Sequence, residues 1–338
     1  MRAYEIVAGS TSLEGLRPCT RPEPSAGSRQ ILVKMQAVSL NYRDVAIALG
    51  MYMGRAISAT TIALSDGTGV VMAIGAGVTR FKVGDRVAGT FFRGWIDGPP
   101  PPGPLPALGA PPADGVLAEQ VVFDEHDSVA VPAHLTVEAA ATLPCAGLTA
   151  WHALVENGQV MPGQTVLVIG TGGVSIFALQ FARLAGARVI ALSSSDDKLK
   201  RARTLGAEFT INYRSTPDWE REVRTLTDGS GVDHIIEVGG AGTIARSLAS
   251  IAAGGHIALI GGVAGFDAQI NPFGLLRTQA CIRGVYVGSR GQFERMNAAI
   301  SGNRLEPVID RAFSFDEAPA AYRHLASGAH FGKVVIRL

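Results

Sequence analysis

The sequence predicts an α/β protein of two domains, a compact β-rich region followed by a doubly wound parallel sheet. In the first third of the chain, short apolar runs at 31–38, 69–74 and 86–88 are separated by glycine turns, which is typical of a small barrel-like domain. From Thr136 onward, apolar strands alternate with helical patterns, and this alternation predicts a parallel sheet with helices on both faces. A length of 338 residues agrees with about two domains.

Composition excludes several classes of protein. Hydrophobic residues make up 47% of the chain and charged residues 17%, which supplies buried cores and argues against extensive disorder. The formal net charge is +1 and no block of like charge occurs, so neither a nucleic-acid surface nor an acidic tail is expected. The three cysteines, Cys19, Cys145 and Cys281, form no C-x-x-C pair, which favours a reducing compartment over a disulfide framework.

No targeting or membrane segment is expected. Residues 1–10 lack a basic start followed by a long apolar run, and the apolar stretches are interrupted before about 18 residues. We therefore expect a cytoplasmic protein that acts on a small-molecule substrate and has no nucleic-acid or membrane partner.

The elements of the second half follow one another in a regular order. Helical patterns at 137–143 and 148–155 precede the first strand of the sheet at 165–169. The later predicted helices are 174–185, 197–205, 219–226, 245–252 and 292–301, and the later predicted strands are 188–192, 209–211, 232–238, 255–260, 282–287 and 333–338. The last strand could return to the first domain. The Pro- and Gly-rich stretch 99–112 is interpreted as a surface loop, either inert or a mobile wall over a cleft.

The strongest local motif is a strand that runs into glycines and then into a helix. The residues that follow the strand 165–169 and would face a ligand are Gly170, Gly172, Gly173 and Val174. The first glycine permits a tight turn, the second lets the backbone approach a pyrophosphate, and the helix start offers N–H groups to that anion. Ser175 stands where a third glycine is usual, and its small side chain is compatible with close helix–strand packing. The motif predicts a dinucleotide site.

The end of the next strand favours NADPH over NADH. A site for NADH usually carries Asp or Glu there, about 20 residues after the first glycine, to bind the ribose 2′-hydroxyl. Here the position holds Ser193, Ser194 and Ser195, with Lys198 and Arg201 on the helix that follows. A 2′-phosphate would meet hydroxyls and cations in place of a carboxylate, and charge-assisted hydrogen bonds to phosphate are strong.

Four motifs together resemble the medium-chain dehydrogenase/reductase superfamily over essentially the whole chain. They are the N-x-x-D segment at 41–44, the G-D-R-V turn at 84–87, the segment 143–150 and the closing G-K-V strand within 330–335.

This resemblance implies a particular organisation of the chain. A GroES-like catalytic domain would occupy 1–129, a Rossmann NADP-binding domain 130–290, and a C-terminal segment at 291–338 would return to the catalytic domain. A homodimer is also implied, for which 282–287 could supply an edge strand.

The resemblance does not extend to the catalytic zinc of many superfamily members. Asn41 falls where their first cysteine ligand would be, and Ser65, followed by Asp66, falls where the histidine would be. Only Cys145 remains, and one soft ligand cannot build a site that needs about three protein ligands. We therefore expect no zinc and interpret Cys145 as a buried packing residue.

The zinc-free branch includes quinone oxidoreductases and enoyl reductases, and the segment 41–44 followed by 48–52 particularly resembles the enoyl-reductase modules of polyketide synthases. In the quinone-reductase pattern the 2′-phosphate contacts fall on Ser194, Lys198 and Tyr213. The residues that the resemblance places near the nicotinamide are Thr149, Gly239, Gly261 and Val287.

Two side chains are candidates for the chemistry. Tyr52 is the candidate donor or acid, because a phenol stays protonated at neutral pH, although it could instead be a packing aromatic. Asn41 could hold the substrate carbonyl or the nicotinamide ribose, or could simply form a turn. Asp44 is expected to brace a helix start or to pair locally, and nothing in the sequence settles the directions of Tyr42 and Arg43.

These observations predict a zinc-independent, NADPH-dependent oxidoreductase that transfers a hydride to a C=C bond conjugated to a carbonyl, or to a quinone. Without a Lewis acid, a conjugated alkene is easier to reduce than an isolated ketone, because hydrogen-bond donors can stabilise the enolate that forms. Two alternatives stay open. One is a zinc-free alcohol dehydrogenase or ketone reductase, and the other is a non-catalytic NADPH-binding protein like the lens crystallin relatives of quinone reductases.

Overall fold

The structure, a computed structural model, describes residues 1–265 and 267–338. Contacts within the chain divide it into two compact units. The first unit consists of Met1–Leu148 with Val287–Leu338, and the second consists of Thr149–Tyr286. The resemblance implies domain borders at 129/130 and 290/291. These borders refer to the functional domains of the family, and they stay predictions.

The strands are, in chain order, β1 (Arg2–Ile6), β2 (Leu16–Thr20), β3 (Gln30–Leu40), β4 (Thr61–Ile62), β5 (Asp66–Ile74), β6 (Arg86–Gly89), β7 (Gln120–Asp124), β8 (Ser128–Ala130), β9 (Thr165–Ile169), β10 (Arg188–Ser193), β11 (Phe209–Asn212), β12 (Val232–Glu237), β13 (Ile251–Leu259), β14 (Cys281–Gly284), β15 (Ile309–Ser314) and β16 (Lys333–Arg337). The α-helices are α1 (Tyr42–Ala48), α2 (Val137–Ala141), α3 (Leu148–Trp151), α4 (Gly173–Leu184), α5 (Asp196–Thr204), α6 (Trp219–Leu226), α7 (Ile244–Ser250), α8 (Pro272–Thr278), α9 (Arg290–Asn303) and α10 (Ala318–Ala326). Within the described ranges, no helix combines the length and the apolar character needed to cross a bilayer.

The first unit is built on a largely antiparallel sheet with the order β15-β16-β3-β5-β6-β8, in which β7 also pairs with β3. Alternate residues of β3, namely Ile31, Val33 and Met35, are buried in the core of this unit, as the alternating pattern predicts. The C-terminal strand β16 lies antiparallel to β3, with Val334 opposite Leu40. A separate sheet has the order β2-β1-β4.

The second unit is the doubly wound parallel sheet that the sequence predicts. Its order is β11-β10-β9-β12-β13-β14, and each neighbouring pair is parallel. The chain moves outward from β9 through β10 and β11, and it then resumes on the other side of β9 with β12. In open parallel sheets, ligands bind at the carboxyl ends of the strands, beside the point where the order reverses. The carboxyl ends of β9 and β12 are therefore the expected place for a ligand.

Two predicted elements differ clearly from the structure. The predicted strand 282–287 ends at Gly284, because its partner β13 ends at Leu259, the residue opposite Gly284. Val287 has a φ of +54°, which lies outside the β region. The predicted helix 148–155 is a short α-helix that continues as a π-helical turn at His152–Asn157.

The Pro- and Gly-rich stretch 99–112 carries no helix or strand, but its second half is not a surface excursion. Ala107, Leu108 and Ala110 are buried, and the last two belong to the core of the first unit. The Leu108 carbonyl also accepts a hydrogen bond from the side chain of Arg43. The interpretation as an inert surface loop is therefore wrong for this half, because its apolar residues pack inward.

Candidate functional site

The glycine turn of the second unit has the geometry of an anion-binding helix start. Gly170 follows β9 with a φ of +78°, a left-handed conformation that glycine adopts without strain. Gly172 caps α4, whose first turn begins with Gly173 and Val174. A side chain added at Gly170 would meet no atom within 4 Å, so the space beside the turn is open. The N–H groups of this first turn and the positive end of the helix dipole suit a pyrophosphate.

Ser175 explains how the turn tolerates the loss of the third glycine. Its side chain is buried, and its hydroxyl donates a hydrogen bond of 2.7 Å to the carbonyl of Ile169. This bond joins the first turn of α4 to the end of β9, so the serine packs the helix closely on the strand.

Three residues are expected to contact a 2′-phosphate. Ser194 and Tyr213 follow the carboxyl ends of β10 and β11, and Lys198 lies at the start of α5. Ser193, the last residue of β10, pairs with Asn212, the last residue of β11, so Ser194 and Tyr213 leave the two strands side by side. The Tyr213 N–H donates to the Ser193 carbonyl at 3.1 Å, and the tyrosine is exposed. Lys198 lies in the first turn of α5, which begins directly after the serines. The structure therefore brings the three predicted contacts to one edge of the second unit.

A buried carboxylate that the sequence analysis missed organises the end of β12. Glu237 is fully buried and accepts hydrogen bonds from the N–H groups of Gly239 at 2.8 Å and Gly240 at 3.1 Å. The hydroxyls of Thr243 and Ser247 also donate to this carboxylate. The predicted contact at Gly239 is thus held in one conformation by a neighbour. The sequence feature that could have indicated this role is a glutamate at the end of a buried strand, two residues before a pair of glycines.

The other residues expected near the nicotinamide belong to different units: Thr149 and Gly261 to the second, and Val287 to the first. Gly261 follows β13, and a side chain there would come within 3.1 Å of the Val238 carbonyl, which favours glycine. Thr149 is buried in the second unit. Val287 is buried in the first unit, and its φ of +54° is strained for a β-branched residue. Backbone strain of this kind clusters at functional sites.

A buried polar cluster of the first unit lies where β3 ends. Asn41 precedes α1, and the carboxylate of Asp44 in the first turn accepts a hydrogen bond of 2.7 Å from the Asn41 N–H, so this aspartate braces the helix start as expected. The ammonium of Lys333 donates to the Leu40 carbonyl and to the side-chain oxygen of Asn41, both at 2.6 Å. Burial raises the pKa of Asp44 to about 7, although the charge of Arg43 opposes this shift.

Asp66 and Lys333 form the charged centre of this cluster. Both side chains are buried, and Asp66 accepts hydrogen bonds from the Ser65 hydroxyl at 2.7 Å and from the Cys145 N–H at 2.9 Å. Burial raises the pKa of Asp66 and the charge of Lys333 opposes that rise. Burial lowers the pKa of Lys333, and the charge of Asp66 opposes that fall. Each group therefore stabilises the ionised form of the other. The sequence analysis missed Lys333. The feature that could have indicated its role is a lysine at the start of an otherwise apolar closing strand.

This donor set does not fit a zinc ion. The side-chain oxygen of Asn41 is bound by the Lys333 ammonium, and a cation there repels a metal. Burial raises the pKa of the Cys145 thiol, which disfavours the thiolate that zinc requires. Within residues 1–265 and 267–338, no group of three or more His, Cys, Asp or Glu could hold a metal ion. Cys145 is partly exposed, so its interpretation as a buried packing residue is only approximate.

Tyr52 lies beside a guanidinium. It opens a short 3₁₀ turn and is partly buried. The guanidinium of Arg43 lies over the Tyr52 ring, 4.9 Å from its centre, and over the Phe91 ring at 4.7 Å. The two candidates for the chemistry, Asn41 and Tyr52, are therefore both in the first unit, one before α1 and one after it.

Two family models match the chain. The model of the alcohol dehydrogenase GroES-like domain matches residues 27–133, within the first unit. The model described as zinc-binding dehydrogenase matches residues 173–302, which include most of the parallel sheet.

Similarity over the whole chain agrees with these matches. A zinc-type alcohol dehydrogenase-like protein of Schizosaccharomyces pombe is 42% identical over 315 residues, which are 91% of this chain and 91% of the relative. The crystal structure of a Sinorhizobium meliloti protein, assigned as an alcohol dehydrogenase, has a TM-score of 0.92 at 42% identity and covers 100% of both chains.

Two further solved structures differ in their cofactors. An NAD-dependent alcohol dehydrogenase has a TM-score of 0.90 at 32% identity, with 100% of both chains covered. A crotonyl-CoA carboxylase/reductase in complex with NADP has a TM-score of 0.87 at 25% identity, and the match covers 100% of this chain and 94% of that one. The similar structures therefore include both an NAD-dependent and an NADP-bound protein.

Proposed function

The chain belongs to the medium-chain dehydrogenase/reductase superfamily, and we propose that it is a zinc-independent member that uses NADPH to reduce a C=C bond conjugated to a carbonyl, or a quinone. It is an NAD(P)-dependent oxidoreductase of the alcohol dehydrogenase-like type. The observation that carries the proposal is the buried contact between Lys333 and Asn41. It puts an ammonium beside the residue that takes the place of the first zinc ligand.

Without a Lewis acid, the substrate must accommodate much of the negative charge that develops on its oxygen. In a conjugated carbonyl, a hydride added to the β-carbon moves an electron pair to the carbonyl oxygen, and hydrogen-bond donors can stabilise the resulting enolate. A proton added to the α-carbon completes the reduction, which consumes one hydride and one proton. An isolated ketone places the full charge on one oxygen and therefore depends more on a Lewis acid or another strong electrophile.

NADPH, when bound, supplies the hydride. The residues proposed to hold its pyrophosphate are those of the glycine turn, Gly170, Gly172, Gly173 and Val174. The residues proposed to bind its 2′-phosphate are Ser194, Lys198 and Tyr213, whose hydroxyls and ammonium suit a phosphate better than a bare ribose. The proposed nicotinamide contacts are Thr149, Gly239, Gly261 and Val287.

Tyr52 is the proposed proton donor and Asn41 the proposed donor to the substrate carbonyl. The side-chain oxygen of Asn41 accepts from Lys333, and the amide nitrogen is the atom that can donate to a substrate. That nitrogen is buried, so this role requires neighbouring side chains to admit the substrate oxygen. Tyr52 is only partly buried, which makes it the more accessible of the two.

A zinc-free alcohol dehydrogenase or ketone reductase is the second candidate. It is favoured by the similarity to the NAD-dependent alcohol dehydrogenase and to the yeast alcohol dehydrogenase-like protein. This candidate differs from the first in its substrate, which would be a saturated carbonyl or its alcohol.

The experiment that separates these functions is a turnover assay that follows the absorbance of NADPH. The panel contains α,β-unsaturated ketones, quinones, saturated ketones and aldehydes, with NADH run in parallel. Preferred turnover of conjugated compounds or quinones with NADPH supports the proposal. Turnover confined to saturated carbonyls assigns the alcohol dehydrogenase function, and tight NADPH binding without any turnover favours the non-catalytic alternative.

Metal analysis of the same preparation tests zinc independence. We expect far less than one zinc per chain and full activity after treatment with a chelator. One zinc per chain, or a loss of activity that added zinc restores, would contradict this part of the proposal.

We also propose that the protein is a homodimer that associates through its second unit. β14 ends the strand order of the parallel sheet, and an edge strand offers N–H and C=O groups for pairing. On the nearby helix α8, Phe273 is 68% exposed and Leu276 is 76% exposed. Exposed apolar side chains beside a sheet edge suit a symmetric contact in which two copies of β14 pair.

A cytoplasmic location is the remaining proposal. It is supported by Cys19, Cys145 and Cys281, which carry free thiols and therefore suit a reducing compartment.

A further inference from the structure

Arg43 lies in the first turn of α1, and two aromatic rings flank its guanidinium. The guanidinium carbon is 4.9 Å from the centre of the Tyr52 ring and 4.7 Å from the centre of the Phe91 ring. A planar cation is attracted to the face of an aromatic ring, and the attraction grows when the contact is shielded from water. Contacts with two rings restrict how far the guanidinium can move relative to either.

The guanidinium is anchored to the interior of the first unit. Its Nη1 donates a hydrogen bond of 2.8 Å to the Leu108 carbonyl, and Leu108 is buried. The Phe91 ring is fully buried as well. Arg43 and the adjacent carboxylate of Asp44 attract each other, since the charge of Arg43 opposes the burial-driven rise in the pKa of Asp44. Arg43 therefore presents a fixed cation to Tyr52.

Tyr52 lies on a short segment whose neighbouring side chains are exposed to solvent. Its ring packs along the edge of the core, but its neighbours Met51 and Met53 are 55% and 73% exposed. Met53 also has a left-handed backbone, with a φ of +53°. With exposed residues on both sides, the direction of the ring depends on the contacts of the ring itself.

We propose that Arg43 is a positioning residue that holds the Tyr52 ring so that its phenol O–H faces the α-carbon of the substrate. The inference rests on the proposed function, in which Tyr52 gives the proton that completes the reduction. In that step the O–H bond of Tyr52 breaks, a C–H bond forms at the α-carbon, and the phenolate later takes a proton from water. The guanidinium also lies close to the negative charge that the phenolate carries in between.

A double-mutant cycle on the single-turnover rate of product formation tests this role. Arg43→Met keeps an apolar chain beside the ring but removes the planar cation. We expect a rate loss of about 10- to 100-fold, an unchanged Kd for NADPH, and no further loss when Arg43→Met is added to Tyr52→Phe. If Arg43→Met slows Tyr52→Phe as much as it slows the wild type, Arg43 does not act through the phenol and the proposal is wrong.

Two variants serve as controls in the cycle. Arg43→Lys keeps the charge but loses the planar stack, so it should recover little of the rate. Arg311→Met removes a guanidinium that lies over the Phe313 ring at 4.5 Å elsewhere in the first unit, and it should leave the rate unchanged. A comparable slowing by Arg311→Met would trace the effect to general loss of stability and overturn the assigned role.

A second readout needs no turnover. The chain has six tyrosines, so protein labelled with 3-fluorotyrosine gives a simple ¹⁹F spectrum, in which Tyr52→Phe assigns the Tyr52 signal. Arg43→Met, or Arg43→Lys if the first variant does not fold, should shift and broaden that signal. An unchanged Tyr52 signal would overturn the proposal. A wild type without any turnover would instead overturn the proposed function, so the two failures are distinguishable.

Discussion

The ammonium of Lys333 donates a 2.6 Å hydrogen bond to the side-chain oxygen of Asn41, a residue 292 positions earlier in the chain. The same ammonium donates to the Leu40 carbonyl and attracts the buried carboxylate of Asp66. The end of β3, the start of β5 and the start of β16 therefore meet at one buried cation.

Lys333→Met should lower the free energy of unfolding by about 3–5 kcal/mol, because it leaves buried carboxylates without their cation. Asp66→Asn added to Lys333→Met should recover part of this loss, since a neutral amide needs no cation. Urea unfolding of the wild type, both single variants and the double variant measures the coupling. Strictly additive losses would show that the two side chains do not interact.

Glu237→Ala should destabilise the second unit by about 3 kcal/mol, because the N–H groups of Gly239 and Gly240 lose a buried, charged acceptor. Glu237→Gln should cost only about 1–2 kcal/mol, because its oxygen can still accept these bonds and the Ser247 hydroxyl can turn to accept from its amide. Urea unfolding and NADPH titration of both variants check this order. Equal effects of the two substitutions would rule out the proposed hydrogen-bond network.

Lys198→Ala should raise the Kd for NADPH about 10- to 100-fold and leave the Kd for NADH nearly unchanged, because only NADPH carries the 2′-phosphate. Lys200→Ala is the matched control on the same helix. Its ammonium is exposed and pairs with Asp197 at 3.0 Å, so we expect no selective effect. Fluorescence titration with both cofactors gives the four constants, and equal weakening of NADPH and NADH by Lys198→Ala would count against the cofactor proposal.

Two histidines of the second unit should make the protein sensitive to acid. His234 and His256 lie opposite each other on β12 and β13, with ring centres 6.0 Å apart. Burial lowers the pKa of both, that of His256 to about 4, with the charges of His234 and Arg283 adding to the shift of His256. In the unfolded chain the pKa is about 6.5, so the unfolded state binds more protons as the pH falls from about 6.5 to about 4. Stability should therefore decrease over that range.

His256→Gln isolates this effect. Between pH 7 and pH 4.5, the wild type should lose about 2 kcal/mol more unfolding free energy than His256→Gln does. Asp44 acts in the opposite direction, because its raised folded pKa reduces stability as the pH rises from about 4 to about 7. It is present in both proteins and cancels from the difference. Identical pH dependence of the two proteins would argue against a neutral, partly buried His256.

Phe273→Lys combined with Leu276→Lys should convert the proposed dimer into a monomer, because two charges would replace the apolar side chains exposed on α8. Met161→Lys, at a side chain that is 60% exposed elsewhere in the second unit, should leave the dimer intact. Light scattering coupled to size-exclusion chromatography measures the mass of each variant. A monomeric wild type would disprove the proposed assembly.

The parallel sheet and its glycine turn were predictable from the sequence because their requirements are local. The left-handed turn directly after β9 requires a glycine, which Gly170 supplies. The apolar residues of β9 themselves indicate that the strand is buried. The same kind of reasoning failed for residues 282–287, since the end of β14 depends on how far β13 runs beside it. It also failed for Ala107 and Leu108, whose burial depends on what packs above them.

The sequence by itself determined the plan of the second unit: the parallel sheet, most of its helices and the glycine turn that joins β9 to α4. Only the tertiary structure decided which polar side chains share a buried site. Lys333 meets Asn41 because β16 pairs with β3, and Arg43 meets Phe91 and Tyr52 because the chain folds back after α1. Hydrogen bonds and cation–π contacts act over a few ångströms, so they depend on strand order and packing, which no local pattern of residues encodes.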